Sequence, residues 1–420
     1  MTKTPLTDAA DVRAHTTAIV EETMVFDMHT HLFPPAFGEL MRWGIDDLLT
    51  YHYLVAELMR FADIRPEPYQ RMSRDAQADL VWETLFVRNT PMSEATRGVV
   101  AVLSALGLNP LAADLREARQ FFRDVTLADH VDRVFAHARV EGVVMTNDPF
   151  DGQEVAVWEA RPALDGRFRT ALRVDTLLNQ WPVAREVLSA AGYAASAQLD
   201  AGSIAQARRF VDAWVARIAP LYMAVSLGDD FRWPEEGPRG RLIREVILPA
   251  CRDHGLPLAM MIGVRRAVNP ALRDAGDALG RADVGALHRL CAEYPDNRFL
   301  VTMLSRENQH ELCVAARKFA NLMPFGCWWF LNNPSIVSEI TRERLELLGA
   351  SFVPQHSDAR VLEQLLYKWP HSRREIARAL ADQYVGVVEN GRPVTVAEVR
   401  RDVRRLFADN FLQWTPAAGR

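Results

Sequence analysis

Met24-Val25-Phe26-Asp27-Met28-His29-Thr30-His31, near the amino terminus, is the stretch whose reading decides the fold. Two histidines one residue apart after an apolar run share one face of a strand, because side chains alternate with period two. Both imidazoles then point the same way, and two neutral ring nitrogens at a strand end can hold a divalent metal if a carboxylate balances part of its charge. Spacing alone is weak evidence in a chain with 11 histidines, where a packed imidazole is the commoner outcome. Position strengthens it, since Leu32-Phe33-Pro34-Pro35 turns the chain directly afterwards. More than three hundred residues later, Gln355-His356-Ser357-Asp358-Ala359-Arg360 supplies Asp358 as the third candidate ligand.

Between these two stretches the chain alternates. Residues 35–129 carry helical periodicity and no convincing strand, which predicts a helical insertion. Beyond it, short apolar runs alternate with amphipathic segments: Gly142–Met145, Phe168–Leu172, Leu221–Val225, Leu256–Ile262, Arg298–Met303, Leu322–Phe325 and Ala350–Val353. With the first strand they make eight. Helix signals separate them: Asn333-Pro334 as a start and Gly349 as a stop, Gly255 ending a helix from about Leu242, and Thr395-Val396-Ala397-Glu398 as a capping box. The arginines that follow, Arg400, Arg401, Arg404 and Arg405, read as a solvated face.

This pattern predicts an α/β chain of one domain, residues 1–420, folded as a (β/α)8 TIM-type barrel with the helical insertion after the first strand. In such barrels functional residues sit at the carboxyl ends of the strands. The first and eighth strands become neighbours on closure, so the histidine pair and Asp358 meet in space.

Composition bounds the function. With 420 residues, 49% apolar and 25% charged, and a mean hydropathy of −0.10, the sequence reads as a globular protein with ample core. A net charge of −5 and a pI near 6.2 argue against nucleic acid and anionic membrane as partners. Cys251, Cys291, Cys313 and Cys327 lack framework or C-x-x-C spacing and read as free, mostly buried thiols. No apolar leader or span is evident, and the reading is cytoplasmic; a homo-oligomer is allowed.

Several patches, in order, resemble uronate (glucuronate) isomerases of the metal-dependent amidohydrolase superfamily. They are Phe26–Leu32, Tyr51-His52-Tyr53 with Glu57–Arg60, Thr146-Asn147-Asp148-Pro149-Phe150-Asp151, Leu172-Arg173-Val174-Asp175, Gly326-Cys327-Trp328-Trp329-Phe330-Leu331-Asn332, and Ser357-Asp358-Ala359-Arg360. The chain departs from the family pattern at Met261, where a histidine precedes Ile-Gly, and at Ala224-Val225-Ser226-Leu227, where a Ser-Asp pair stands; Asp229 or Asp230 is a candidate replacement.

The resemblance implies a metal-dependent aldose-ketose isomerase acting on a hexuronate or related sugar acid. The alternative is a hydrolase or lyase of the same superfamily acting on a small carboxylated substrate. His29, His31 and Asp358 are the candidate metal ligands, with zinc the first choice and manganese, iron or nickel compatible. Asp358, Tyr53, His52 and Arg360 are the candidate catalytic residues. Arg173, Arg360, Arg266 and Trp328 are the candidate sugar-acid contacts, because a planar guanidinium matches a carboxylate and an indole offers an apolar wall. For each arginine the bland alternative is a salt bridge, for Trp328 core packing, and for His356 a buried, hydrogen-bonded ring.

Overall fold

The structure, a computed structural model, describes residues 5–416. The amino-terminal reading above falls partly on Met1–Thr4, which lie outside them. Seven parallel strands follow one another round a curled sheet: β1 (Val25–Thr30), β2 (Val140–Asn147), β3 (Phe168–Arg173), β4 (Met223–Gly228), β5 (Leu258–Arg265), β6 (Phe299–Met303) and β7 (Leu322–Pro324). Helices connect them on the outside, as parallel strands require.

Alternation sorts the side chains into two layers. Val143, Met145, Leu172, Val225, Met260 and Val301 pack outward against the helices. Val144, Ala171, Ala224, Ala259 and Leu300 fill the lumen, where small residues admit their bulkier neighbours. Phe411, from the carboxyl-terminal helical turns, stacks on Phe26 at 6.0 Å and meets Tyr222 edge-on, and so plugs the amino-terminal end of the barrel.

The eighth strand differs from expectation. Of Ala350–Val353 only Val353 makes a bridge, to Phe325. Pro354 then removes a donor from the ladder, and Asp358 adopts a φ of 50° that no strand continues. Closure is achieved by two backbone bonds to the end of β1, Asp358 N to His29 O at 3.1 Å and His31 N to Ala359 O at 2.7 Å. Side chains satisfy much of the remaining backbone of this closing segment. Asn410 Nδ2 donates to Ala350 O and Phe352 O, and the buried Arg344 donates to Val353 O.

From Pro35 to Ala138 the chain forms helical turns and no strand. Asn333 does not cap its helix as expected; its amide donates to Ser335 Oγ instead, while Gly349 and Gly255 terminate their helices at positive φ. The Thr395–Glu398 capping box forms. The basic face beside it is paired rather than simply solvated, Arg400 with Glu22 and Arg404 with Glu141 and Asp409. All four cysteines are free and buried. Among the described residues no helix is long and apolar enough to cross a membrane.

Candidate active site

Simple alternation would put His29 on the outer layer with Asp27. The register between β1 and β2 prevents this, because Asp27 faces Val143 and Thr30 faces Met145, leaving Met28 and His29 opposite Val144 alone. That extra residue is a β-bulge, which re-aims a side chain. His29 thereby turns into the lumen, and His31, just past the strand, follows on the same side.

The ring orientations are set by two hydroxyl groups. Tyr222 donates its hydroxyl hydrogen to Met28 O at 2.8 Å and lies 2.9 Å from His29 Nδ1, so it accepts from Nδ1–H. Thr146 Oγ1 donates to Thr30 O at 3.1 Å and lies 3.0 Å from His31 Nδ1, the same arrangement. Each ring is left with a lone pair on Nε2. These atoms face Asp358 Oδ1, at 3.7 Å from His29 and 3.3 Å from His31.

Burial lowers His29 to about 3 and His31 to about 4, so both rings are neutral at physiological pH. Burial alone would raise the Asp358 carboxyl, but a proton entering the cluster goes first to a ring, and His31 or His29 so charged holds the carboxyl below the usual range. Asp358 Oδ1 is buried without a hydrogen-bond partner. The three ligand atoms lie within 4.8 Å of one another. Three electron-pair donors converging with no proton between them repel unless a cation lies among them, and the second nitrogens of the two rings are already fixed by Tyr222 and Thr146. His29, His31 and Asp358 could therefore hold a metal.

A narrow cavity opens beside this cluster, lined also by His52, Arg173, Ser226, Met261, Arg266, Trp328, Trp329 and Arg360. Arg173, at the tip of β3, is aligned by Asp175 at 3.3 Å, and Asp175 is anchored in turn by the Ser226 backbone N–H. Arg360 keeps its Nε unpartnered, as His52 keeps Nε2. Trp328 is buried against the cavity, and Met261 occupies the lumen face of β5.

Not every candidate stands alike. Tyr53 does not line the cavity; its ring packs 4.6 Å from that of His52, with a buried, unpartnered hydroxyl. Arg266 reaches the rim but is largely exposed and bound to Asp277. Asp229 and Asp230 do not replace the missing strand-four acid, since Asp229 is held by Arg265 and neither lines the cavity. His356 is buried as expected, yet neither ring nitrogen has a hydrogen-bond partner; the ring is wedged between His29 and Phe325.

Sequence reading passed over Tyr222, and quoted Thr146, Asp175, Ser226 and Trp329 without a role. For Thr146 a signal existed, a hydroxyl at a strand end beside the histidines. Tyr222 gave none, because it reaches His29 across the lumen.

Solved structures resemble this chain closely. A uronate isomerase from Bacillus halodurans C-125 is 51% identical over 97% of both chains, with a TM-score of 0.95. A uronate isomerase from Thermotoga maritima is 15% identical over 97% of both chains, with a TM-score of 0.77. A glucuronate isomerase from Caulobacter crescentus is 18% identical over 95% of this chain and 92% of its own, with a TM-score of 0.69. The last two bear on the fold alone. No protein-family model and no curated protein matches the chain.

Proposed function

The chain belongs to the uronate isomerase family, and from that membership we propose that it interconverts a hexuronate and its ketose at the cavity beside His29, His31 and Asp358. One observation carries the assignment of the site: two Nε2 lone pairs and an unpartnered carboxylate oxygen converge next to two arginines at the carboxyl ends of the strands. Family membership favours this reading over a hydrolase or lyase.

A divalent metal bound by His29, His31 and Asp358, zinc being our first choice, would supply Lewis acidity toward the sugar oxygens. The other roles fall to the chain's own residues. Arg173, held by Asp175, and Arg360, with an unpaired Nε, are suited to the substrate carboxylate. Trp328 and Met261 form apolar wall against the carbon skeleton. The reaction moves a proton from C2 to C1 through an enediol. Asp358, ionised and lining the cavity, is the group suited to accept it and give it back. His52, neutral because burial lowers it, is the second. Met261 cannot relay protons, and Tyr53, behind His52, serves by orienting that ring.

The test is to incubate metal-analysed protein with D-glucuronate or D-galacturonate in deuterated water and follow the C2 proton by NMR. Loss of the C2 signal with appearance of ketose is the expected result, abolished in His29→Ala. Unchanged sugars with metal fully bound would overturn the assignment.

A further inference from the structure

Asp358 is a non-glycine residue at a φ of 50°, a backbone conformation that must be held in place by its surroundings. The residue before it, Ser357, is gripped at both its N–H and its C=O. Ser357 N donates to Asp27 Oδ1 at 3.1 Å, and Asp27 is itself fixed by Trp369 Nε1 at 2.8 Å. Ser357 O accepts from Lys368 Nζ at 2.6 Å. Lys368 and Trp369 are consecutive residues of the Leu365–Glu389 helix, so one element supplies both sides of the clamp.

Neither charge reaches the cavity, and both are buried, Asp27 at 0% and Lys368 at 1% exposure. Elsewhere on the closing segment backbone groups are anchored by the neutral amides of Asn410, on Ala350 and Phe352, and Gln355, on Cys327, and by one buried cation, Arg344, on the single carbonyl of Val353. Buried charged groups cost far more than amides, and on this segment Ser357 is the residue whose N–H and C=O are both held by them, a tighter hold than satisfying a single backbone group requires.

We propose that Lys368 and Asp27 are positioning residues for metal binding, which clamp the N–H and C=O of Ser357 and so fix Asp358 in the left-handed conformation that turns its carboxylate toward His29 and His31. This rests on the reading that these three residues hold a metal. The bulge that turns His29 inward leaves Asp27 on the outer layer, within reach of the clamping helix. The Asp27 jaw and the inward turn of His29 are thus products of the same register shift.

The clamp is tested by zinc affinity, measured on the full chain by competition with a chromophoric chelator, for wild type, Lys368→Met, Asp358→Asn and the double variant. Lys368→Met is expected to bind zinc about 10- to 100-fold more weakly, and to add nothing further once Asp358 is changed, because it acts through Asp358. Lys368→Arg should recover part of the loss. The proposal is overturned if folded Lys368→Met binds zinc within about two-fold of wild type, or if its loss adds in full to that of Asp358→Asn. Should Lys368→Met fail to fold, Asp27→Asn is taken through the same cycle with the same criteria. A wild type without zinc affinity, or His29→Ala binding as tightly as wild type, would instead overturn the metal site itself.

Discussion

His29 and His31 act as a pair only because the hydrogens on their far nitrogens are committed to Tyr222 and Thr146. Removing either acceptor leaves the ring free to change tautomer or turn. Tyr222→Phe and Thr146→Val should each lower metal affinity about 10- to 100-fold, read as metal retained after dialysis, with the far-ultraviolet circular dichroism unchanged. A second test concerns Glu154, which burial raises to about 8 from an ordinary 4.5 although it accepts from Asp148 N and Asn147 Nδ2. An acid raised by folding stabilises the fold while protonated, and that contribution is lost as pH rises from about 4.5 through about 8. Glu154→Gln, fixed in the neutral state, should match wild type at low pH and exceed it in melting temperature at high pH, a tenfold change in proton affinity being worth about 1.4 kcal/mol. A constant difference at all pH values would contradict this. At this scale the convergence of His29, His31 and Asp358 was legible because His and Asp at strand tips carry their chemistry in their identity. Tyr222 was not, because its role depends on which residues face each other across a closed barrel.

Among the elements, the closing segment departs furthest from the strand expected of it and carries Asp358 at a φ of 50°. Its apolar run predicted a strand, and the run is there, but Pro354 and the turn at Asp358 convert the remainder into an irregular piece held by side chains. Apolar patterning registers burial and does not register which backbone donors find partners, so this departure was not visible beforehand. Gly326, after β7, tests how closely the segment fits. Its φ is 65°, and a Cβ there would stand 1.8 Å from His356 Nδ1. Gly326→Ala should therefore destabilise the protein by about 1–3 kcal/mol in denaturant titration, and His356→Ala should relieve part of that loss when combined with it. Strict additivity would show that the two sites do not touch.

For the whole molecule, strand count and alternation made the ring legible, since eight βα-like repeats leave little choice of architecture. How the helical stretch seats on the barrel was not, because that depends on a contact between residues far apart in sequence. His130, from the helix Leu127–Ala138, meets Glu363 at 2.8 Å with both side chains fully buried, three residues beyond Arg360. Leaving one partner of a buried hydrogen bond unsatisfied is costly, so Glu363→Ala should lose about 1–3 kcal/mol of stability and weaken substrate binding through Arg360; no measurable loss would place the pair among inconsequential contacts. The central claim, that the two ends of the barrel sheet meet around one cation, is tested most directly by anomalous diffraction from zinc-loaded crystals. A single strong peak bounded by His29 Nε2, His31 Nε2 and an Asp358 oxygen is the predicted result. A fully loaded protein whose peak lies elsewhere, with those three atoms left without a metal, would contradict it.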